Sequence, residues 1–414
     1  MKEKISNLVK KQYTVYPYPP IPLGALEEEV LYSTNYEFVN YLCTSIYKPH
    51  KNIKILDVGC GTGFSTLKLA QQNPLAAITA IDISSASIKI AKERLKTAGI
   101  NANRVNFIEA DLMLLKNMDE QFDYIVCTGV LHHMESPKKG LNFIKKHLKE
   151  DGIIYLMLYS EYGRYYQRLM RKAINLFQTN KNNIKEGIAI GKEILTILPE
   201  GHPILSRYQR SYQASLNVIN KEFADSESQF VDAYINAKER TYNIDELFDF
   251  IESNGLCFLR FQDELQWDLK HLLNGSEYLI SKTEKFSKKE KYKIGEIIES
   301  EKNFAFFASK VNFKKKKFRT EALLNFKIKL TNLNKEILSN ETKKTNKYTL
   351  ISPLGLQIVL DKYLYGAYQL LEDFGTIEAN LTNYQKTQHT KLTNGEYILF
   401  IKMMEEKGFI MLYN

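Results

Sequence analysis

The sequence predicts an α/β fold in which helices cover a mainly parallel β-sheet. Short apolar runs alternate with helical patterns between residues 51 and 158, and this alternation gives right-handed β–α–β crossovers. A glycine-rich turn follows the first run, and an aspartate ends each of the first three runs, at Asp57, Asp82 and Asp111. Because ligands bind beyond the carboxyl ends of such strands, these residues predict a binding site.

The strands and helices of this domain are predicted from apolar runs and helix caps. Phe64 opens a helix, Ser84 is a good N-cap for the next helix through Lys96, and Pro137 lies in the first turn of a third. Two later runs close a sheet of seven strands. The predicted strands are 53–58, 77–82, 105–111, 122–127, 152–158, 256–261 and 304–308.

The turn after the first strand carries three alternating glycines, Gly59, Gly61 and Gly63. Such a turn brings bare backbone close to a ligand and directs the N–H groups of the next helix towards it. The spacing differs from the dinucleotide fingerprint G-x-G-x-x-G. Gly63-Phe64-Ser65 also lacks the lysine of a P-loop, so the turn does not hold a triphosphate in that way.

An aspartate at a strand end followed by G-x-G-x-G resembles the first motif of class I S-adenosylmethionine-dependent methyltransferases. The resemblance covers about residues 50–160 and implies a Rossmann-like seven-stranded sheet and S-adenosyl-L-methionine as the cofactor. It implies that Asp82 accepts from the ribose hydroxyls and Asp111 from the adenine amine, while Ile83 and Leu112 pack on the ring. The expected cofactor-binding residues are Asp57, Gly59, Cys60, Gly61, Thr62, Gly63, Asp82, Ile83, Asp111, Leu112, Thr128 and Gly129.

Two segments outside residues 50–160 point to a particular branch of this family. Residues 12–22 carry four prolines and three tyrosines, which favours an extended strap. Residues 160–243 form a helical insertion after the fifth strand, which shapes either the acceptor pocket or a homodimer contact. The strap, a Leu-Tyr-Ser…Gly-Arg run and a Tyr-x-x-x-Glu-Leu helix resemble a bacterial branch that includes the rickettsial protein lysine methyltransferases. This resemblance covers about residues 10–310 and implies that the strap closes over the cofactor.

Methyl transfer needs a correctly placed lone pair, and an amine acceptor must first lose a proton. The predicted catalytic residues are Tyr13, Tyr16, His132 and Tyr159, with His133 and Glu161 as further candidates near the methyl group. Either histidine could instead be structural. The Asn/Asp-Pro-Pro-Tyr motif and the Pro-Cys nucleophile are both missing, which argues against amino-directed DNA or glutamine methylation and against cytosine-C5 methylation.

The C-terminal part carries most of the charge. Residues 312–348 hold eleven Lys/Arg and three acids, a net +8 of the chain's +9, so a basic nucleic-acid-binding surface is not indicated for the rest. From residue 348 we expect a small winged-helix-like α/β module with helices at 352–371 and 396–406 and strands at 376–384 and 409–413. The predicted domains are an N-terminal helix and strap (1–50), a methyltransferase domain (51–313), a basic linker (314–347) and this module (348–414).

The remaining features limit the class of protein. The four cysteines are widely spaced, which suggests no metal site and fits a reducing cytoplasm. No window predicts a membrane span or a secretory signal. The predicted function is methyl transfer to a nucleophile, with a protein lysine amine as the leading acceptor. A small-molecule or lipid-like acceptor and a non-catalytic cofactor-binding or assembly protein are the alternatives.

Overall fold

The computed structural model describes residues 5–25, 31–49, 52–115, 118–300, 303–313, 320–331, 335–337, 347–388 and 392–413. Its contacts divide the chain into two compact units. One joins Met1–Glu28 to Lys51–Asn312, and the other joins Glu29–His50 to Phe313–Asn414. The predicted segment 1–50 is therefore shared between the two units. Most of the predicted basic stretch, including Lys314–Lys317, lies outside the described residues.

The first unit is built on a seven-stranded sheet in the order β3-β2-β1-β4-β5-β7-β6. Strands β1 to β5 pair in parallel, while β7 runs antiparallel to β5 and β6. The predicted seven-stranded α/β sheet is thus confirmed. The strands are β1 Lys54–Val58, β2 Ala77–Asp82, β3 Val105–Glu109, β4 Phe122–Thr128, β5 Leu148–Leu158, β6 Cys257–Phe261 and β7 Phe304–Ser309.

The centre of this sheet is buried on both faces, which explains its continuous apolar runs. In the register, Leu56 of β1 lies between Thr79 of β2 and Ile125 of β4. Chain order reverses here, so the carboxyl ends of β1 and β4 border a crevice. The helices around the sheet are α1 Ile5–Val15, α3 Phe64–Gln72, α4 Ser85–Thr97, α5 Pro137–Lys146, α11 Ile244–Glu252, α12 Leu269–Leu272, α13 Glu277–Lys282 and α14 Lys288–Ile298.

The segment after β5 is helical, as predicted. Apolar side chains of its helices pack on one another and include Met170, Ile174 and Phe230. The buried Arg164 forms an ion pair with Glu239, at 2.7 Å between Nη2 and Oε2, which ties the start of the insertion to the loop after it. The helices are α6 Tyr165–Phe177, α7 Ile184–Ile197, α8 Pro203–Val218, α9 Lys221–Asp225 and α10 Glu227–Tyr234.

The second unit contains helix α2 (Tyr36–Thr44) and most of the C-terminal elements. Within it, the Tyr41 hydroxyl donates to Glu405 (2.8 Å) and accepts from the N–H of Leu412 (3.1 Å). The described elements are β8 Lys327–Leu330, β9 Lys335–Ile337, β10 Lys347–Ile351, β11 Gln357–Asp361, α15 Lys362–Gln369, α16 Ile377–Gln388, α17 Asn394–Glu406 and β12 Ile410–Tyr413. They form a three-stranded sheet, a two-stranded sheet and the three helices.

Two predictions in this unit were wrong. The helix predicted at 352–371 is present only over α15, Lys362–Gln369. The first part of the segment is instead a turn at Gly355, whose φ is +74°, followed by β11, where Ile358 and Leu360 are buried at alternate positions. The segment predicted as a strand at 376–384 is helical, because Ile377, Leu381 and Tyr384 are buried at helical spacing. The last helix and the terminal strand are confirmed. Among the described residues, no helix is both long enough and apolar enough to cross a membrane.

Candidate active site

The glycine turn after β1 is shaped by its contacts with the protein. Gly59, Gly61 and Gly63 all have positive φ, between +52° and +83°. A Cβ atom on Gly61 would overlap the carbonyl oxygen of Tyr18, and one on Gly59 would overlap the side chain of Val130. The turn therefore needs glycine both for its backbone conformation and for close packing on its neighbours.

The proline-rich strap lies directly on this turn. The N–H of Thr62 donates to the carbonyl of Tyr18 (3.1 Å), and the Thr62 hydroxyl donates to the carbonyl of Pro19 (2.6 Å). Residues up to Val15 are helical, so only the later part of the predicted strap is extended. Strap and turn are thus joined through backbone groups, whose positions depend little on side-chain identity.

A single buried arginine on α4 fixes the same two segments. Arg94 Nε donates to the carbonyl of Thr62 (2.9 Å), while its Nη atoms donate to Pro22 (3.1 Å) and Ile21 (2.5 Å). The side chain is completely buried. Three carbonyls therefore compensate the loss of water around the guanidinium, as a buried charge requires.

The first two strand-end carboxylates have different surroundings. Asp57 is buried and accepts from the hydroxyl of Thr66 (2.7 Å); loss of solvent raises its pKa to about 7. Asp82 accepts from the backbone N–H groups of Gly61 and Ser84, both at 2.8 Å. Burial also raises the pKa of Asp82. Asp57 therefore holds the start of α3, while Asp82 supports the turn and faces the crevice.

A cavity of about 610 Å³ lies beyond these strand ends, in the first unit. The predicted residues divide into those that line it and those behind it. Asp57, Thr62 and Gly63 lie behind the surface and support the turn. The predicted cofactor-binding residues that line the cavity are Gly59, Cys60, Gly61, Asp82, Ile83, Asp111, Leu112, Thr128 and Gly129.

The donors and acceptors on this side of the cavity fit an adenosyl group with an amino-acid tail. A carboxylate lies at the end of β2, and a second, Asp111, follows β3 with its Oδ1 accepting from the N–H of Met113 (2.8 Å). Ile83 and Leu112 supply apolar surface beside them. Ribose hydroxyls and an exocyclic amine need such acceptors, and an adenine ring needs such faces. Among the described residues, no cluster suited to a metal ion is found.

The other side of the cavity is formed by α1, the end of β5 and α10. The carboxylate of Asp232 accepts from two phenols, Tyr13 (3.0 Å) and Tyr159 (3.3 Å). Burial, followed by the charge of Asp232, raises the pKa of both phenols well above the usual value. Both tyrosines therefore stay protonated at neutral pH and act as hydrogen-bond donors, so neither serves as a base.

The two adjacent histidines occupy different environments. His133 lines the cavity, whereas His132 is fully buried and stacks on Tyr159 with ring centroids 3.7 Å apart. Burial lowers the pKa of both rings, so both are neutral at pH 7. The prediction of His132 as a catalytic residue is not supported by this placement, because Tyr159 covers the ring.

Tyr16 does not line the cavity either. It lies just past the end of α1 and packs with Met170 and Ile174 of the insertion. Arg164 does line the cavity, 4.1 Å above the Tyr159 ring. Its guanidinium also donates to both carboxylate oxygens of Glu239 (2.7 and 3.3 Å), which neutralises its charge locally.

Sequence reasoning did not find Asp232 and Arg94 as parts of this site, and it gave His133 only a secondary place. Asp232 lies in an insertion without a recognisable motif, and it approaches Tyr13 across 219 residues of sequence. In the sequence, Arg94 cannot be distinguished from an ordinary charged residue on the surface of a helix. The histidine pair was visible, but only the 3₁₀ turn Leu131–His133 determines which ring faces the cavity.

Comparisons with known proteins agree with this geometry. Residues 49–202 match the family described as a methyltransferase domain. An uncharacterized protein of Synechococcus is 33% identical over 314 residues, covering 74% of this chain and 72% of that protein. A malonyl-[acyl-carrier protein] O-methyltransferase of Priestia megaterium is 32% identical over 135 residues. That match covers 33% of this chain and 45% of the enzyme.

Solved structures give the same fold. PKMT2 from Rickettsia typhi superimposes with a TM-score of 0.64 at 16% identity, covering 96% of this chain and 77% of that one. The complex of PKMT2 with AdoHcy superimposes with a TM-score of 0.63. At this identity the likeness concerns the fold, and it extends over nearly the whole chain.

Proposed function

The chain belongs to the class I S-adenosylmethionine-dependent methyltransferases, and we propose that its acceptor is a primary amine, with the side chain of a protein lysine as the first candidate. The cofactor, S-adenosylmethionine, supplies a methyl group on a positively charged sulfur. The proposal concerns the group that receives this methyl. The observation that carries it is the Asp232 carboxylate held between the phenols of Tyr13 and Tyr159 at the cavity.

The charges around the acceptor side favour a cation. A protonated amine is attracted by the Asp232 carboxylate, and its methylated forms pack well on tyrosine rings. A carboxylate acceptor would be repelled by Asp232. Arg164 would not offset that repulsion, because its charge is already paired with Glu239. The amine must then lose one proton before its lone pair can attack.

The comparison of folds supports the lysine acceptor independently of the charges in the cavity. PKMT2 of Rickettsia typhi shares the fold over nearly all of this chain, and the strap and insertion motifs resemble the rickettsial protein lysine methyltransferases. The malonyl-[acyl-carrier protein] O-methyltransferases match only about a third of this chain. The match to those enzymes therefore contributes little about the acceptor side, which α1 and the insertion build.

A second candidate is an acidic small molecule. Lys192, whose Nζ lies 3.9 Å from the Glu227 carboxylate, and Arg207 of the insertion helices also line the cavity, and their charges would attract an anionic group on such an acceptor. This observation keeps methylation of a small or lipid-like acceptor as the alternative. The two candidates differ in where a transferred methyl group is found.

Radiolabelled methyl transfer separates them. The purified chain is incubated with S-adenosylmethionine carrying a tritiated methyl group and with fractionated bacterial lysate. We expect label in acid-precipitated protein and methylated lysine after hydrolysis. Label in the solvent extract alone would contradict the lysine acceptor. The variant Gly61→Arg serves as the control, because it blocks the turn and should abolish labelling of either fraction.

A further inference from the structure

We propose that Nε2 of His133 receives the proton that the acceptor amine loses. The inference rests on the proposed amine acceptor, and it assigns a catalytic residue within the same cavity. Tyr13 and Tyr159 cannot take this role, because both phenols remain protonated and already donate to Asp232. His132 is closed off behind the ring of Tyr159.

One hydrogen bond fixes the tautomer of His133. Its Nδ1 lies 2.7 Å from the carbonyl oxygen of Lys238. A carbonyl oxygen only accepts, so Nδ1 carries the hydrogen and donates it. In the neutral ring the lone pair is then on Nε2. Among the described residues Nε2 has no hydrogen-bond partner, although the side chain is only 3% exposed and lines the cavity.

The groups around the ring keep it neutral until it receives a proton. Tyr13 of α1 and Tyr159 after β5 contact it edge-on, with centroids 6.4 and 5.5 Å away, and His132 lies beside it at 4.3 Å. Burial is the main cause of its lowered pKa. Arg164 acts in the same direction, while Asp232, the Lys238 carbonyl and Glu239 act against it. These three acceptors also stabilise the imidazolium once it forms.

The proton transfer balances without any further reactant. The N–H bond of the acceptor ammonium breaks, its electron pair remains on nitrogen as the attacking lone pair, and a new N–H bond forms at Nε2. The positive charge moves from the amine to the imidazole. The imidazolium then passes this proton on to solvent, because burial favours the neutral ring at pH 7.

The first test needs no acceptor. Nitrogen NMR of the full chain labelled at histidine should show His133 protonated at Nδ1 and titrating below the ordinary value of about 6.5. A hydrogen on Nε2 would overturn the proposal. The spectra of His133→Asn and His132→Asn assign the two resonances.

The second test uses kinetics. His133→Asn keeps a donor for the Lys238 carbonyl but removes the basic lone pair. His133→Gln also removes the lone pair, and it places its amide one carbon further from the backbone than Nδ1. At pH 7 we expect both to bind S-adenosylhomocysteine normally by calorimetry and to transfer methyl groups about 100- to 10,000-fold more slowly. The acid limb that His133 gives the wild-type pH profile below about pH 6.5 should vanish in both, while the ionisation of the acceptor amine itself, at about pH 10, remains. His132→Asn, the matched control, should retain that limb.

The outcome is independent of the acceptor's identity. The profiles are measured with whichever lysate fraction the wild type labels, protein or extract. Label in the extract would remove the lysine acceptor, while the profiles would still decide the role of His133. A His133→Asn variant that binds S-adenosylhomocysteine and keeps the wild-type acid limb would overturn the proposal.

Discussion

Replacing Gly61 by alanine tests how the strap and the glycine turn form the cofactor site. Gly61 has a φ of +52°, which costs an alanine roughly 1–2 kcal/mol. The added Cβ also overlaps the Tyr18 carbonyl. Moving the strap away would break the two hydrogen bonds from Thr62 to Tyr18 and Pro19, at about 0.5–1.5 kcal/mol each. The total expected loss is about 2–5 kcal/mol.

Gly99 provides a matched control for the backbone contribution. Its φ is +72°, but no atom of the residues that the structure describes lies within 4 Å of the position of an added Cβ. Gly99→Ala should therefore lower the free energy of unfolding by only about 1–2 kcal/mol and leave cofactor affinity unchanged. Because Tyr18 and Pro19 line the cavity, Gly61→Ala should weaken binding of S-adenosylhomocysteine at least about tenfold. Denaturant unfolding and titration calorimetry measure both quantities. Equal behaviour of the two variants would refute the proposed role of the strap.

Three further substitutions test other parts of the site. Arg94→Met should lower the free energy of unfolding by about 3 kcal/mol or more, because three backbone carbonyls lose their donor at about 1–3 kcal/mol each; a loss below about 1 kcal/mol would contradict this role of Arg94. The folded-state pKa of Asp57 is raised to about 7, so its ionisation opposes folding increasingly from about pH 4 to 7. Asp57→Asn should therefore gain stability relative to wild type as pH rises through that window, and a constant difference in urea unfolding would argue against it. Asp232→Asn should raise the KM for a cationic acceptor about tenfold or more, because Tyr13 and Tyr159 keep an acceptor but the amine loses its counter-charge; an unchanged KM would count against the amine.

The local sequence pattern was sufficient to predict the strands of the seven-stranded sheet. It was not sufficient to predict every element of the second unit. Apolar runs of five to seven residues determine buried strands wherever helices cover both faces of a sheet, so β1 to β7 were found close to their true bounds. In the second unit, residues 352–361 and 376–384 were assigned to the wrong type of element, while the helix predicted after residue 361 is present as α15. There, a turn at Gly355 begins the first segment, and the buried residues of the second segment recur at helical spacing.

The sequence by itself determined the family, the cofactor and the sheet, because these depend on short motifs whose residues are close together along the chain. Asp57 and the glycine turn fall within seven residues, and the covalent connection alone places them together. The acceptor side depended on the tertiary structure. Asp232 meets Tyr13 only when α10 packs against α1, and His133 faces the cavity only because a 3₁₀ turn and the Lys238 carbonyl orient its ring. Contacts between residues far apart in the chain leave no local pattern, so only the folded chain reveals them.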